Sequence, residues 1–126
     1  VCLSPWTDLA MTGASITEKD PVDPFINASG IAAIAPAYIG DDDPKNPFIS
    51  PLYGDLSGLP PSLIHVGGRE CLLDDSVRFA EKAQAAGSPV TLKVWEELFH
   101  VFHLFAGVAP EGKEGIQEVA TFLENA

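Results

Sequence analysis

Two histidines and one glutamate stand where this chain could do chemistry. The run Leu98-Phe99-His100-Val101-Phe102-His103 sets two imidazoles among large apolar side chains. An imidazole in such surroundings loses hydration when it charges, so it wants a carboxylate beside it, and a histidine so paired can move protons near neutral pH. Glu70 is a candidate partner, reached from the apolar run Leu63-Ile64-His65-Val66 through Gly67-Gly68-Arg69. A glycine-hinged turn of that kind can aim a carboxylate across the end of a sheet. Each residue also has a plainer reading. His100 fits a packed core histidine, His103 a structural one, His65 a packed strand side chain and Glu70 an ordinary loop acid. Asp74 and Asp75 read first as caps of a following helix and only second as catalytic acids.

Metal chemistry finds little support in the pattern. His100, His103 and an acid lack a third ligand at recognisable spacing. Asp41-Asp42-Asp43 are adjacent rather than spaced like the ligands of a calcium loop, and read as a solvated turn. Cys2 and Cys71 form neither a disulfide framework nor a metal-ligand spacing. No cofactor is expected.

The elements that must position Glu70 and His100 follow from periodicity and breakers. Val1 to Leu3 ends a strand, stopped by Ser4-Pro5-Trp6. Thr7 to Pro24 is a polar stretch broken by Gly13, Pro21 and Pro24, and reads as a surface loop. Asn27 to Gly40 predicts a short helix, and Pro44 to Pro61 a long connection of a kind that is usually functional. Ser62 to Val66 predicts a strand, and a helix capped by Asp74 or Asp75 runs to Gly87 with Val77, Ala80 and Ala83 on one face. Val90 to Trp95 alternates as a strand. A last helix, roughly Gly112 to Glu124, carries Ile116, Val119, Ala120 and Leu123 on its expected buried stripe. Strands alternating with helices argue for an α/β fold, a mostly parallel sheet flanked by helices. Chemistry in such sheets gathers in the loops beyond the carboxyl ends of strands. Glu70 and His100 fall in two of those loops.

Charge and length bound the rest. With 7 Lys and Arg against 18 Asp and Glu in 126 residues, the formal net charge is −11. That field repels phosphate backbones and anionic headgroups, so no nucleic-acid partner is expected. No apolar run approaches the roughly 20 residues that cross a bilayer, and no signal-peptide pattern is present, which makes a cytoplasmic location the expectation. The chain opens at Val1 on a strand with no turn before it, which suggests a piece of something longer.

The run Ser50-Pro51-Leu52-Tyr53-Gly54-Asp55-Leu56-Ser57-Gly58-Leu59-Pro60-Pro61, then Leu63-Ile64-His65-Val66-Gly67 and Leu72-Leu73-Asp74-Asp75-Ser76, resembles the bacterial hormone-sensitive-lipase family of α/β-hydrolase carboxylesterases. The opening Leu3-Ser4-Pro5-Trp6-Thr7-Asp8-Leu9 and the segment Phe99-His100-Val101-Phe102-His103 are similar to the same family, so the likeness covers nearly the whole chain. It implies that residues 1–126 form the C-terminal portion of a single α/β-hydrolase catalytic domain whose nucleophile half is missing. By position it implies Glu70 as the triad acid, with Asp74 as the fallback, and His100 as the triad histidine. Many members have Asp at the position of Glu70, and a Gly commonly stands where this chain has Glu97.

Acid before histidine is the chain order of an α/β hydrolase, in which the serine comes first. That serine is absent. Gly-x-Ser-x-Gly occurs nowhere, Gly13-Ala14-Ser15-Ile16-Thr17 lacks the second glycine, and no His-Gly-Gly-Gly oxyanion segment is present. The expectation is a serine carboxylesterase of short-chain acyl esters when complete, inactive as this piece alone. A non-catalytic ligand-binding module or a serine peptidase of the same fold are the alternatives. The resemblance also implies a homodimer through the last strand and helix, since an open edge strand invites pairing.

Overall fold

A computed structural model describes residues 1–126. The elements run β1 (Cys2–Leu3), α1 (Ser15–Glu18), α2 (Ala28–Ile39), a 3-10 turn (Pro51–Tyr53), β2 (Ser62–Gly67), α3 (Leu73–Ala85), β3 (Val90–Trp95), a second 3-10 turn (Phe102–Phe105) and α4 (Pro110–Asn125). The three strands form one parallel sheet in the order β1-β2-β3. Cys2 lies opposite Ile64 and Leu3 opposite His65, while Ser62 to Gly67 run in register with Val90 to Trp95. Parallel pairing brings every carboxyl end to the same rim. Ser4, the Gly67–Glu70 turn and the loop after Trp95 therefore meet there.

Two apolar clusters hold the sheet to its surroundings. Leu56, Ile64, Ala80, Ala83 and Val90 pack between β2, β3 and α3, with Leu59, Phe79 and Leu92 at their border. Ile16, Ile31, Cys71 and Leu72 tie α1 and α2 to the start of α3. Each fully buried large aliphatic side chain contributes about 1.5–3 kcal/mol, so these clusters anchor the sheet beneath the rim. No helix is long and apolar enough to cross a membrane.

The alternation of strands and helices is as the sequence implies, and four details differ. The stretch from Thr7 to Pro24 contains α1, whose four residues are too few for a periodic signal. Its Ser15 is bound to the start of α3: the hydroxyl donates to Cys71 O at 2.7 Å and accepts from Asp74 N at 3.0 Å. Asp74 and Asp75 do not cap α3; they occupy its first turn, where a negative charge complements the helix dipole, and Leu72 stands at the cap position. The long connection is held as scaffold. Ser50 Oγ donates to Pro44 O and accepts from Leu9 N, and Lys82 Nζ donates to Leu52 O and Gly54 O.

The fourth correction concerns α4. Gly112 and Gly115 are its buried residues, while Ile116 is 44% and Leu123 60% exposed. The helix docks through its glycines because they let its backbone close on the second 3-10 turn. A Cβ on Gly112 would lie 2.8 Å from Ala106 N. A face of glycines carries no hydrophobic side chains, so periodicity selected the wrong side.

Candidate active site

Glu70 and His100 meet at the rim. His100 Nδ1 lies 3.2 Å from Glu70 Oε1, joining the loops that follow the paired strands β2 and β3. The Glu70 side chain is fully buried, and that of His100 is 16% exposed. The other carboxylate oxygen, Oε2, accepts from Ser4 Oγ and from Gly67 N, both at 2.7 Å. Three donors from three loops thus surround one carboxylate. An acceptor facing Nδ1 calls for the proton on Nδ1, which leaves Nε2 as the nitrogen free to take a proton from a substrate or nucleophile.

The local sequence explains why the loops can come so close. A Cβ on Gly67 would sit 2.4 Å from Leu98 O, and one on Gly68 would sit 2.5 Å from Glu96 O. Only glycine lets the turn after β2 nest under the loop after β3. Gly68 N donates to Trp95 O and Arg69 N to Leu98 O, both within 3.0 Å, so the two loops are laced backbone to backbone. Glu97, where a glycine is commoner, points outward to Arg69 at 3.7 Å and lies on the exposed side of the loop.

Ser4 joins this pair at the rim, a residue whose type and position alone do not single it out. Its hydroxyl donates to Glu70 and accepts from Val101 N at 3.0 Å, so one oxygen braces both the acid and the residue after the histidine. Ser4 and Val101 both have positive φ, 49° and 45°. Such a conformation strains a β-branched residue like Val101 and persists only where its surroundings impose it. The nearest signal was positional: a serine that ends a strand at the same rim as Glu70.

The remaining candidates go elsewhere. Asp74 Oδ2 accepts from Ser15 N at 3.1 Å, so the fallback acid serves α1 while Glu70 faces the imidazole. Asp75 is fully buried, and its Oδ2 accepts from Thr7 N and Asp8 N at 2.8 Å each. Burial pushes its carboxyl up to about 6 even though those two N–H groups pull the other way. For Asp8, burial acts upward, but hydrogen bonds from Thr12, Tyr53 and Arg78 outweigh it and hold the carboxyl below its usual range. His65 and His103 are buried against each other, Nδ1 to Nε2 at 3.1 Å. Asp41, Asp42 and Asp43 are exposed. Burial, then the nearby Asp23, raises the Cys71 thiol to about 11, which makes it an inert core group. No group of three or more His, Cys, Asp and Glu is placed to hold a metal ion.

A carboxylate and an imidazole paired beyond the carboxyl ends of neighbouring parallel strands is an arrangement of one broad class, and comparison with known proteins agrees. Residues 1–104 match the family described as the alpha/beta hydrolase fold. Within that class the chain belongs to the bacterial hormone-sensitive-lipase family. It is 43% identical to an acetyl-hydrolase of Streptomyces hygroscopicus over 100% of this chain and 42% of that protein. It is 37% identical to an esterase of Acinetobacter venetianus over 97% of this chain and 41% of that one. A solved esterase of the bacterial hormone-sensitive lipase family superposes with a TM-score of 0.95 at 45% identity, covering 98% of this chain and 42% of its own. The chain therefore spans about two-fifths of the length of these relatives.

Proposed function

We propose that this chain is the C-terminal, acid-and-base part of a serine carboxylesterase that hydrolyses short-chain acyl esters. The observation that carries the reading is the 3.2 Å pairing of His100 Nδ1 with the buried carboxylate of Glu70. The relative named an acetyl-hydrolase supports a small acyl group. In this reading the serine and the oxyanion hole lie upstream of Val1, and residues 1–126 belong to the same catalytic domain.

A serine hydroxyl is a weak nucleophile until a base removes its proton. His100 Nε2 takes that proton as the oxygen bonds to the ester carbonyl carbon. The imidazolium is held by Glu70, whose charge stabilises it and whose position fixes the tautomer. Collapse of the tetrahedral intermediate breaks the bond to the leaving alcohol, which receives the proton from His100 and leaves an acyl-serine. Water, deprotonated by the same imidazole, then releases the carboxylic acid and returns the proton to the serine. Ser4 and Gly67 N hold Oε2 so that Oε1 stays aimed at the ring.

β3 is an edge of the three-stranded sheet, and with α4 it offers a surface for a second copy, so the esterase is proposed to be a homodimer. Equilibrium sedimentation of the longer protein showing only monomer would remove that part. For the activity, His100→Ala in the protein carrying the upstream half is expected to lower kcat by on the order of 10³-fold or more. Activity within about threefold of wild type would end the assignment of the base. An organophosphonate probe should label the parent protein covalently, and no labelling would remove the serine-hydrolase reading itself.

A further inference from the structure

Three residues past His100, a second imidazole is buried where the proposed reaction has no use for it. His103 is 4% exposed and His65 is 0% exposed, and their rings stack at 5.3 Å with Nδ1 of His65 3.1 Å from Nε2 of His103. His65 Nε2 faces Glu118 Oε2 of α4 at 3.4 Å, a long contact rather than a well-formed hydrogen bond, and Glu118 is in turn ion-paired with Lys93. A lone pair turned toward a carboxylate would be repelled, so the proton of His65 sits on Nε2. His65 Nδ1 is then an acceptor, and His103 Nε2 must donate to it. His103 Nδ1 is left as a bare, buried nitrogen without a partner. The pair therefore has one hydrogen bond of fixed direction, from the second 3-10 turn into the middle of the sheet.

We infer that His103 is a positioning residue for His100, its bond to His65 pinning the turn that holds the catalytic loop in its strained shape. The inference rests on the reading of His100 as the base. Val101, between the two, has φ 45° and ψ 40°, a left-handed conformation that strains a β-branched residue. Such strain must be held from both sides. Before the turn, Val101 N is held by Ser4 Oγ at 3.0 Å. After it, Leu104 N returns to Val101 O at 3.0 Å, and His103 carries the anchor into β2.

The surroundings are built around that ring. A Cβ on Gly115 would lie 2.8 Å from His103 Cδ2, so α4 presents glycine there and closes over the imidazole. Phe102 packs against the same ring, the two centroids 3.9 Å apart. Burial and then the neighbouring His65 push His103 down to about 4, so it stays neutral at working pH and keeps its single donor. Nothing else in the turn reaches the sheet with a hydrogen-bonding side chain. A loop freed from this anchor can relax Val101 and carry His100 away from Glu70.

The test is a pair of amides at one position in the longer protein. In His103→Gln the amide nitrogen reaches where Nε2 stands, and in His103→Asn it stops at the place of Nδ1. Both variants are polar and of similar burial cost, and both are assayed well below their melting temperatures. The Asn variant is expected to lose about 10–100-fold in kcat with KM within about twofold, the size a misplacement near 1 Å produces. The Gln variant is expected to keep about a third of kcat or more, because the donor is restored. Equal impairment of the two variants, or both within about threefold of wild type, overturns the inference. If His100→Ala is silent while the amide pair is indifferent, only the positioning role fails. If His100→Ala is active, the base assignment has failed first.

Discussion

Glu70 and Asp75 lie at the two ends of one short stretch, both fully buried, and they are equipped quite differently. Both oxygens of Glu70 are engaged: Oε2 by Ser4 and Gly67, Oε1 by His100. Asp75 uses Oδ2 for the backbone of Thr7 and Asp8, and leaves Oδ1 buried with no partner. Burial separates neither from the other, and neither does position beyond the end of β2. The difference is that one carboxylate turns an oxygen to a partner that can carry a proton, while the other clamps a stretch of chain. A buried acid marks a site only through what it faces.

The sharpest way to break that contrast is to remove both charges in the longer protein. Glu70→Gln keeps the shape but cannot stabilise an imidazolium, and kcat should fall on the order of 10³-fold. Asp75→Asn keeps an acceptor for Thr7 N and Asp8 N and touches no reacting group, so kcat should stay within about threefold of wild type. Steady-state kinetics on a short acyl ester reads both. A Glu70→Gln enzyme within about tenfold of wild type, or equal losses in the two variants, would erase the distinction between them.

Ser4→Ala sharpens the same comparison from the side of the scaffold. It deprives Glu70 of one of its donors and strips Val101 N of its acceptor, which places a buried N–H in the position of an unmet donor. The stability cost should be about 1–3 kcal/mol, and kcat should drop by roughly tenfold with KM little changed as Oε1 loses its aim. Denaturant unfolding and kinetics measured on the same preparation decide it. Ser4→Ala with wild-type kcat would mean that Gly67 N alone holds the carboxylate.

How far the sequence could be read follows the same division. Strand ends were legible, because alternation and breakers are local features; Glu70 and His100 stood out as a carboxylate and an imidazole beside such ends, while their assignment as acid and base came from the family resemblance. The parallel sheet made their meeting a consequence of topology. Ser4 was not legible, since its role depends on Val101 and Glu70, 97 and 66 positions away. Asp75 was misread as a cap because an acid at a helix start has the same pattern whether it bonds its own helix or another loop. The stripe of α4 failed for a different reason: Gly112 and Gly115 win the buried face by letting backbone approach, which no hydrophobic count detects. His65 and His103 were rightly read as packed, but their hydrogen bond joins a strand to a turn 38 positions on.

The smallest expected effect is also the most selective, because the two buried groups pull stability in opposite directions with pH. Asp75, raised from 3.8 to about 6, binds more protons folded than unfolded between those values, so its contribution to stability falls as pH rises through that window. His103, lowered from 6.5 to about 4, binds fewer protons folded, so its contribution is lost as pH falls toward 4. In wild type the two partly cancel between about pH 4 and 6. Asp75→Asn leaves His103 unopposed, so the variant should lose stability on acidification more steeply than wild type. Equivalently, the melting temperature of the variant minus that of wild type should grow by a few degrees as pH rises from about 4 to about 6.5. Thermal unfolding of both proteins across that range tests it. A difference that is constant, or that shrinks as pH rises, would mean that Asp75 is already ionised in the folded protein at acid pH, and the orphaned Oδ1 would then need a partner.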